Sequence, residues 1–289
     1  MEYREHRYAS ADGRLELFAR DYASDGAGNG TPLLLMHGLT RNSGDFEPLA
    51  AHLAGDYRLI VPDQRGRGLS QVDPDPANYR PDVYAQDMFA LLASLGVESP
   101  GLIGTSMGGL MAMVMNAVAP GTFPGIVFND IGPVLATEGL ARIGSYVGGG
   151  QPMADWDEAA RACAAINGDA FPDFGEADWQ AWARRTCRAL PDGLIAFAYD
   201  SAIASGFADV GDTPQPDLWP LWDMLGTTPV LAIRGALSDL LTPDTLAEMR
   251  KRHAGPFASV TVPDRGHAPL LDEPVALEAI TEFLKDHCP

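Results

Sequence analysis

The chain has 289 residues, of which 46% are apolar and 20% charged, and its formal net charge is −19. That length suits one α/β unit that folds without disulfide or metal staples, and the composition excludes disordered and fibrous classes. A surface this acidic repels phosphate backbones and anionic lipid heads, so no nucleic acid and no membrane surface is expected as a partner.

In chain order, "MEYREHRYASADGR" has no apolar core of a secretory signal. "EHRYAS" and "RLELFARDY" flank an Asp-Gly turn and predict an antiparallel hairpin. After the Gly-rich "ASDGAGNGT", short apolar runs alternate with helical patterns. The runs are "PLLLMHG", "YRLIVPD", "PGLIGTS", "GIVFND", "PVLAIRG" and "FASVTVPD". Such runs suit strands buried on both faces of a parallel sheet. The helical patterns between them are "FEPLAAHLAG", "PDVYAQDMFALLASLGV", "MGGLMAMVMNAVAP", "TPDTLAEMRKRHAG" and "PVALEAITEFLKDHC". The fold class expected is α/β: a mostly parallel doubly wound sheet with an N-terminal antiparallel hairpin. From about Ala136 to Leu225 no strong β run interrupts a helical pattern that carries all five tryptophans. This reads as an inserted helical cap, so the expected organisation is core 1–135, cap 136–225 and core 226–289. Cys163, Cys187 and Cys288 have neither disulfide nor zinc spacing, which points to reduced thiols in the cytoplasm. No apolar run is long enough to span a membrane.

The chemistry centres on "GTSMG", residues 104–108, between a predicted strand and a predicted helix. A turn that tight requires small neighbours, and Gly104 and Gly108 supply them. Ser106 then projects outward, and the free N–H of Met107 at the helix start would hold an oxyanion. A serine hydroxyl needs a base. His6, His52, His253 and His287 read as surface or packing residues. His37 and His267 lie beyond strand ends, and the order with histidine last selects His267. The acid that orients it is expected to be Asp239 in "GALSD", with Asp130 in "FNDIGP" as the alternative.

The set "HGLT" (37–40), "DQRGRGLS" (63–70), "GTSMGG" (104–109), "GALSD" (235–239) and "RGHAP" (265–269) resembles the α/β-hydrolase fold superfamily, in its serine-nucleophile, capped, esterase-like branch. The resemblance runs through the whole chain outside the cap. It implies that the His37-Gly38 turn supplies a second oxyanion donor, the N–H of Leu39, and that Asp63 and Arg65 tie loops together. Members with an aspartate nucleophile, the haloalkane dehalogenases and epoxide hydrolases, are set aside because Ser106 occupies that position.

The expected function is a serine hydrolase of small to medium carboxylic esters or lactones, acting through an acyl-enzyme with no metal or organic cofactor. Trp156, Trp179, Trp182 and Phe197 are candidate pocket residues from the cap. One alternative is a carbon–carbon bond hydrolase of ring-fission products, which would want a cation in the pocket such as Arg41, Arg142, Arg184 or Arg188. Another is a non-catalytic ligand-binding member of the fold.

Overall fold

Apolar residues at every position of a strand give it two buried faces, and the chain uses both. The computed structural model describes residues 2–22, 30–207 and 215–289; most of the Gly-rich stretch after the first hairpin lies outside these. The described residues form ten strands: β1 (Arg4–Ala9), β2 (Glu16–Tyr22), β3 (Leu33–Met36), β4 (Leu59–Asp63), β5 (Gly101–Thr105), β6 (Ile126–Asn129), β7 (Cys187–Ala189), β8 (Ile195–Phe197), β9 (Val230–Gly235) and β10 (Phe257–Val262). Eight of them make one sheet in the order β1-β2-β4-β3-β5-β6-β9-β10. β1 and β2 pair antiparallel, as do β2 and β4, and every pairing from β4 onward is parallel.

The helices of the core are α1 (Glu47–Leu53), α2 (Pro81–Leu95) and α3 (Met107–Val118) before the inserted segment. Within that segment lie α4 (Thr137–Tyr146), α5 (Trp156–Asn167), α6 (Glu176–Thr186) and the short α7 (Trp219–Asp223). Returning to the core, α8 spans Pro243–Arg252 and α9 spans Pro274–His287. Strand alternation divides the core into two layers. Leu34, Met36, Leu102 and Phe128 face Met88 and Leu91 of α2 and Met111 and Met115 of α3. Leu33, Leu35, Ile103 and Val127 face Leu49 and Leu53 of α1 and Ile280 and Leu284 of α9. Burying each such side chain contributes roughly 1.5–3 kcal/mol.

Two expectations change. The run "FASVTVPD" forms the edge strand β10, where Ala258, Ser259 and Thr261 are exposed, so this strand is not buried on both faces. The segment expected to be helical throughout also contains a small sheet, because α6 ends at Thr186 and Cys187–Ala189 pairs with Ile195–Phe197. The connection carries Asp192-Gly193, with Gly193 at φ 89°, a turn that only glycine adopts without strain. Otherwise the regular elements among the described residues of the segment between β6 and β9 are helices, and its Phe171, Trp179 and Trp182 form an apolar cluster with Leu270 of the loop after β10.

Candidate active site

Ser106 is the single residue between β5 and α3, with φ 52° and ψ −116°, a backbone region that side chains rarely occupy. The glycines around it are required by space. A Cβ on Gly104 would lie 2.5 Å from the Gly108 carbonyl, and one on Gly108 would lie 2.0 Å from the Met36 carbonyl oxygen. Ser106 is thus held in a turn clamped between β3 and α3. Its N–H donates to the Asn129 carbonyl (2.9 Å), and its side chain does not cap the helix, which leaves the hydroxyl free.

That hydroxyl donates to Nε2 of His267 at 2.8 Å. The opposite ring nitrogen, Nδ1, donates to Oδ2 of Asp130, also at 2.8 Å. A carboxylate can only accept, so the proton on Nδ1 is fixed and Nε2 is left basic toward Ser106. Asp130 is fully buried at the end of β6, at φ 56°. Its Oδ1 accepts from the Gly235 N–H (2.8 Å), and its Oδ2 accepts from the Ser238 hydroxyl (2.6 Å) as well as from His267. Every lone-pair direction that matters is therefore used, which keeps a buried charge tolerable.

The acid beside the histidine is Asp130, and the expectation for Asp239 is corrected. Asp239 gives both carboxylate oxygens to Arg142, at 2.6 Å to Nε and 2.9 Å to Nη2. Burial opposes its ionisation, but the Arg142 hydrogen bonds and charge win and hold its carboxyl below the ordinary range. The loop after β9 does reach the site, through Ser238 instead.

The histidine loop is braced from several sides. The Gly266 N–H donates to the Ala170 carbonyl of the inserted segment (2.7 Å). Arg265 bonds Asp173 and Glu273 and lies over Phe171 and Phe174, while Glu273 accepts from the N–H groups of Leu270 and Leu271. Asn129 ties this loop to β5 by donating to the Pro269 carbonyl and to Thr105 Oγ1.

Leu39 and Met107 stand beside the serine on a shared cavity wall. Among the described residues, neither of their N–H groups has a protein acceptor. His37 explains the aim of the first. Its Nδ1 donates to the Gly38 carbonyl at 2.7 Å, and its Nε2 accepts from the Gln64 N–H at 3.2 Å. The Gly38 carbonyl and the Leu39 N–H belong to one planar peptide and point in opposite directions, so His37 fixes the donor by holding the acceptor. Full burial lowers the His37 pKa to about 3, so the ring stays neutral. Arg67 clamps the following peptide. Its Nε donates to the Leu39 carbonyl (2.9 Å), and its Nη1 donates to Tyr84 and the Arg65 carbonyl. Sequence reasoning passed over Arg67 and Ser238; their signal was position alone, immediately after strand ends. Asp63 and Arg65 do tie loops: Asp63 accepts from Ser43 and Leu69, and Arg65 binds Asp73 and Asp87.

Ser106 stands between two cavities. One is polar and small, about 40 Å³, and its wall includes Arg41, Asp45, Ser106, Tyr146, Asn167 and His267. It adjoins a second, more apolar recess that shares Thr40, Arg41, Tyr146 and Asn167 and is closed by Trp182 and Phe197. The other is an apolar chamber of about 250 Å³ walled by residues such as Met107, Leu110, Leu140 and Ile203. Of the candidate pocket aromatics, Trp182 and Phe197 reach a cavity wall. Trp179 packs among Phe171, Phe174 and Trp182, and Trp156 lies under the Arg184 guanidinium at 4.0 Å. Of the four candidate cations, Arg41 faces the serine's cavity. Arg142 is held by Asp239, Arg184 stacks on Trp156, and Arg188 lines a separate outer recess.

Comparison with known proteins agrees with this architecture. The sequence pattern of the alpha/beta hydrolase fold matches residues 31–274. The chain is 35% identical to a 3-hydroxybutyrate-oligomer hydrolase from Cupriavidus necator over 87% of each chain. It is 29% identical to a 2-(acetamidomethylene)succinate hydrolase from Mesorhizobium japonicum, over 94% of this chain and 92% of that one. Among solved structures, an alpha/beta hydrolase from Novosphingobium aromaticivorans superimposes with a TM-score of 0.90 at 45% identity, covering 98% of both chains. A hydrogen-bonded Ser–His–Asp relay in this setting can activate a hydroxyl for attack on an acyl carbon and hold the resulting charge. With the family pattern spanning most of its length, the chain belongs to the alpha/beta hydrolase fold family and is a hydrolase.

Proposed function

We propose that the protein is a serine hydrolase of small to medium carboxylic esters, working through an acyl-enzyme. The observation that carries this reading is the relay of two 2.8 Å hydrogen bonds from Ser106 through His267 to buried Asp130. His267 takes the Ser106 proton as Oγ attacks the ester carbonyl. The oxyanion is held by the N–H groups of Leu39 and Met107. His267 then passes its proton to the departing alkoxide, and water repeats the sequence on the acyl-enzyme. The segment between β6 and β9 serves as a cap that shapes the acyl and alcohol pockets. Three buried thiols without disulfide partners support a reducing, cytoplasmic setting.

The likeness to the 3-hydroxybutyrate-oligomer hydrolase favours oligoesters of hydroxy acids within this class. The likeness to 2-(acetamidomethylene)succinate hydrolase favours a second reading, in which the same relay opens an acidic acetamide. A series of p-nitrophenyl esters from acetate to decanoate, with a hydroxybutyrate dimer and an acidic acetamide, tests both. Ester turnover that disappears in Ser106→Ala, with the variant still folded, is the expected result. Full residual turnover in that variant would overturn the mechanism.

A further inference from the structure

We infer that Arg41 is an anchor for a carboxylate on the leaving-group side of the substrate, so that the preferred substrates are esters whose alcohol part is itself a hydroxy acid. This inference rests on the serine ester hydrolase reading above. Arg41 follows the oxyanion turn, and its stem stands close to the nucleophile. A methyl group on Gly38 would touch Arg41 Cγ at 3.7 Å and Ser106 Cβ at 3.8 Å. The guanidinium is pre-oriented, lying over the Trp182 ring at 4.0 Å with Nη1 donating to Asp45 Oδ1 at 3.0 Å. Among the described residues, its Nε and Nη2 meet no protein acceptor. A buried-stem arginine held on one side and open on the other presents a planar fork that suits a carboxylate.

The side of the scissile bond follows from His267. The group that returns the proton must sit next to the departing oxygen. His267 lines the polar cavity together with Arg41 and is absent from the wall of the apolar chamber. The leaving alcohol therefore lies on the Arg41 side, and the acyl chain lies in the chamber of about 250 Å³. Asp45 shares Arg41 and weakens its field, so recognition depends on the two free donors and their direction more than on net charge. Arg80 at the rim of the acyl chamber pairs with Asp82 and is mostly exposed, a poor anchor by comparison. The reaction balances as an ordinary hydrolysis: ester and water give a carboxylic acid and a hydroxy acid, with the Ser106 proton carried by His267 to the hydroxy acid's oxygen.

The test compares 3-(butanoyloxy)butanoate with its methyl ester, and with a p-nitrophenyl monoester of glutaric acid that carries its carboxylate on the acyl side. The wild type should prefer the free acid to its methyl ester in kcat/KM by about 30-fold or more, the size of one charge-assisted bidentate contact. In the double variant Arg41→Gln with Asp45→Asn, which removes both charges together and leaves neither buried alone, that ratio should fall toward one. Arg41→Lys should restore part of it. An unchanged ratio, or a preference for the acyl-side carboxylate instead, would overturn the anchor while leaving the hydrolase intact. Calorimetry on Ser106→Ala with the free acid and the methyl ester reads the anchor without turnover. Tighter binding of the acid, lost when Arg41 and Asp45 are changed, supports the anchor even where the hydrolytic reading fails; equal binding of both refutes it.

Discussion

Replacing Asp130 by Asn removes one negative charge and keeps the shape of the side chain. In the ground state Asp130 accepts from Gly235, Ser238 and His267. When His267 takes the Ser106 proton, the imidazolium and the carboxylate form an ion pair in a buried site. At about 4 Å and an effective dielectric of about 20, that pair is worth roughly 4 kcal/mol, or about a thousandfold in rate. The amide NH₂ also competes with Nδ1–H, which favours the wrong tautomer and carries the expected loss toward about 10⁴-fold in kcat. Asp239→Asn breaks only the partly exposed pair with Arg142, worth about 1 kcal/mol or less, and kcat should stay within about threefold. The assay is steady-state ester hydrolysis with active-site titration to count competent enzyme, alongside a thermal melt. A thousandfold fall in Asp239→Asn, with Asp130→Asn within tenfold of wild type, would refute the assignment of the acid.

Three further outcomes follow from the structure. His37 is neutral in the folded state with its pKa near 3, but titrates near 6.5 when unfolded. The unfolded chain therefore binds one proton more between these values, and stability falls as pH drops below about 6.5. His37→Asn should remove up to about 1.4 kcal/mol per pH unit from the slope of urea stability between pH 6 and 4; an unchanged slope would show that His37 is not buried neutral. Gly108→Ala would press a methyl group onto the Met36 carbonyl and should yield little folded protein. Gly168→Ala, at φ −57° with open space around it, should raise stability by about 0.4–1 kcal/mol in a thermal melt.

Much of this was legible in the sequence because its signals are local. Unbroken apolar runs mark the strands buried on both faces, and Gly104, Ser106 and Gly108 mark a turn with no room for a Cβ. The acid was harder. Asp130 and Asp239 both follow strands that neighbour in space, β6 and β9, and either carboxylate is long enough to reach the histidine loop. What separates them is a long-range partner, Arg142, ninety-seven residues from Asp239, which no spacing rule reveals. The β7–β8 hairpin was missed for a different reason: its strands are three residues each, too short for any periodicity, and only Asp192-Gly193 announced it. Arg41 entered as one of four candidate cations; selecting it required knowing which neighbours had already claimed the others.

Because the proposed acid follows β6 and not β9, the proposed nucleophile and acid lie before the inserted segment and only the proposed base lies after it. A backbone cut at Gly226, in an open left-handed turn, separates the chain into one piece with Ser106 and Asp130 and another with His267. Neither piece holds a complete relay. They rejoin along the β6–β9 ladder from Ile126–Val230 to Asn129–Ile233, where every pairing between these two strands is made across the cut. Hydrolysis regained on mixing the pieces would measure docking of β9 and β10 onto a sheet already six strands wide.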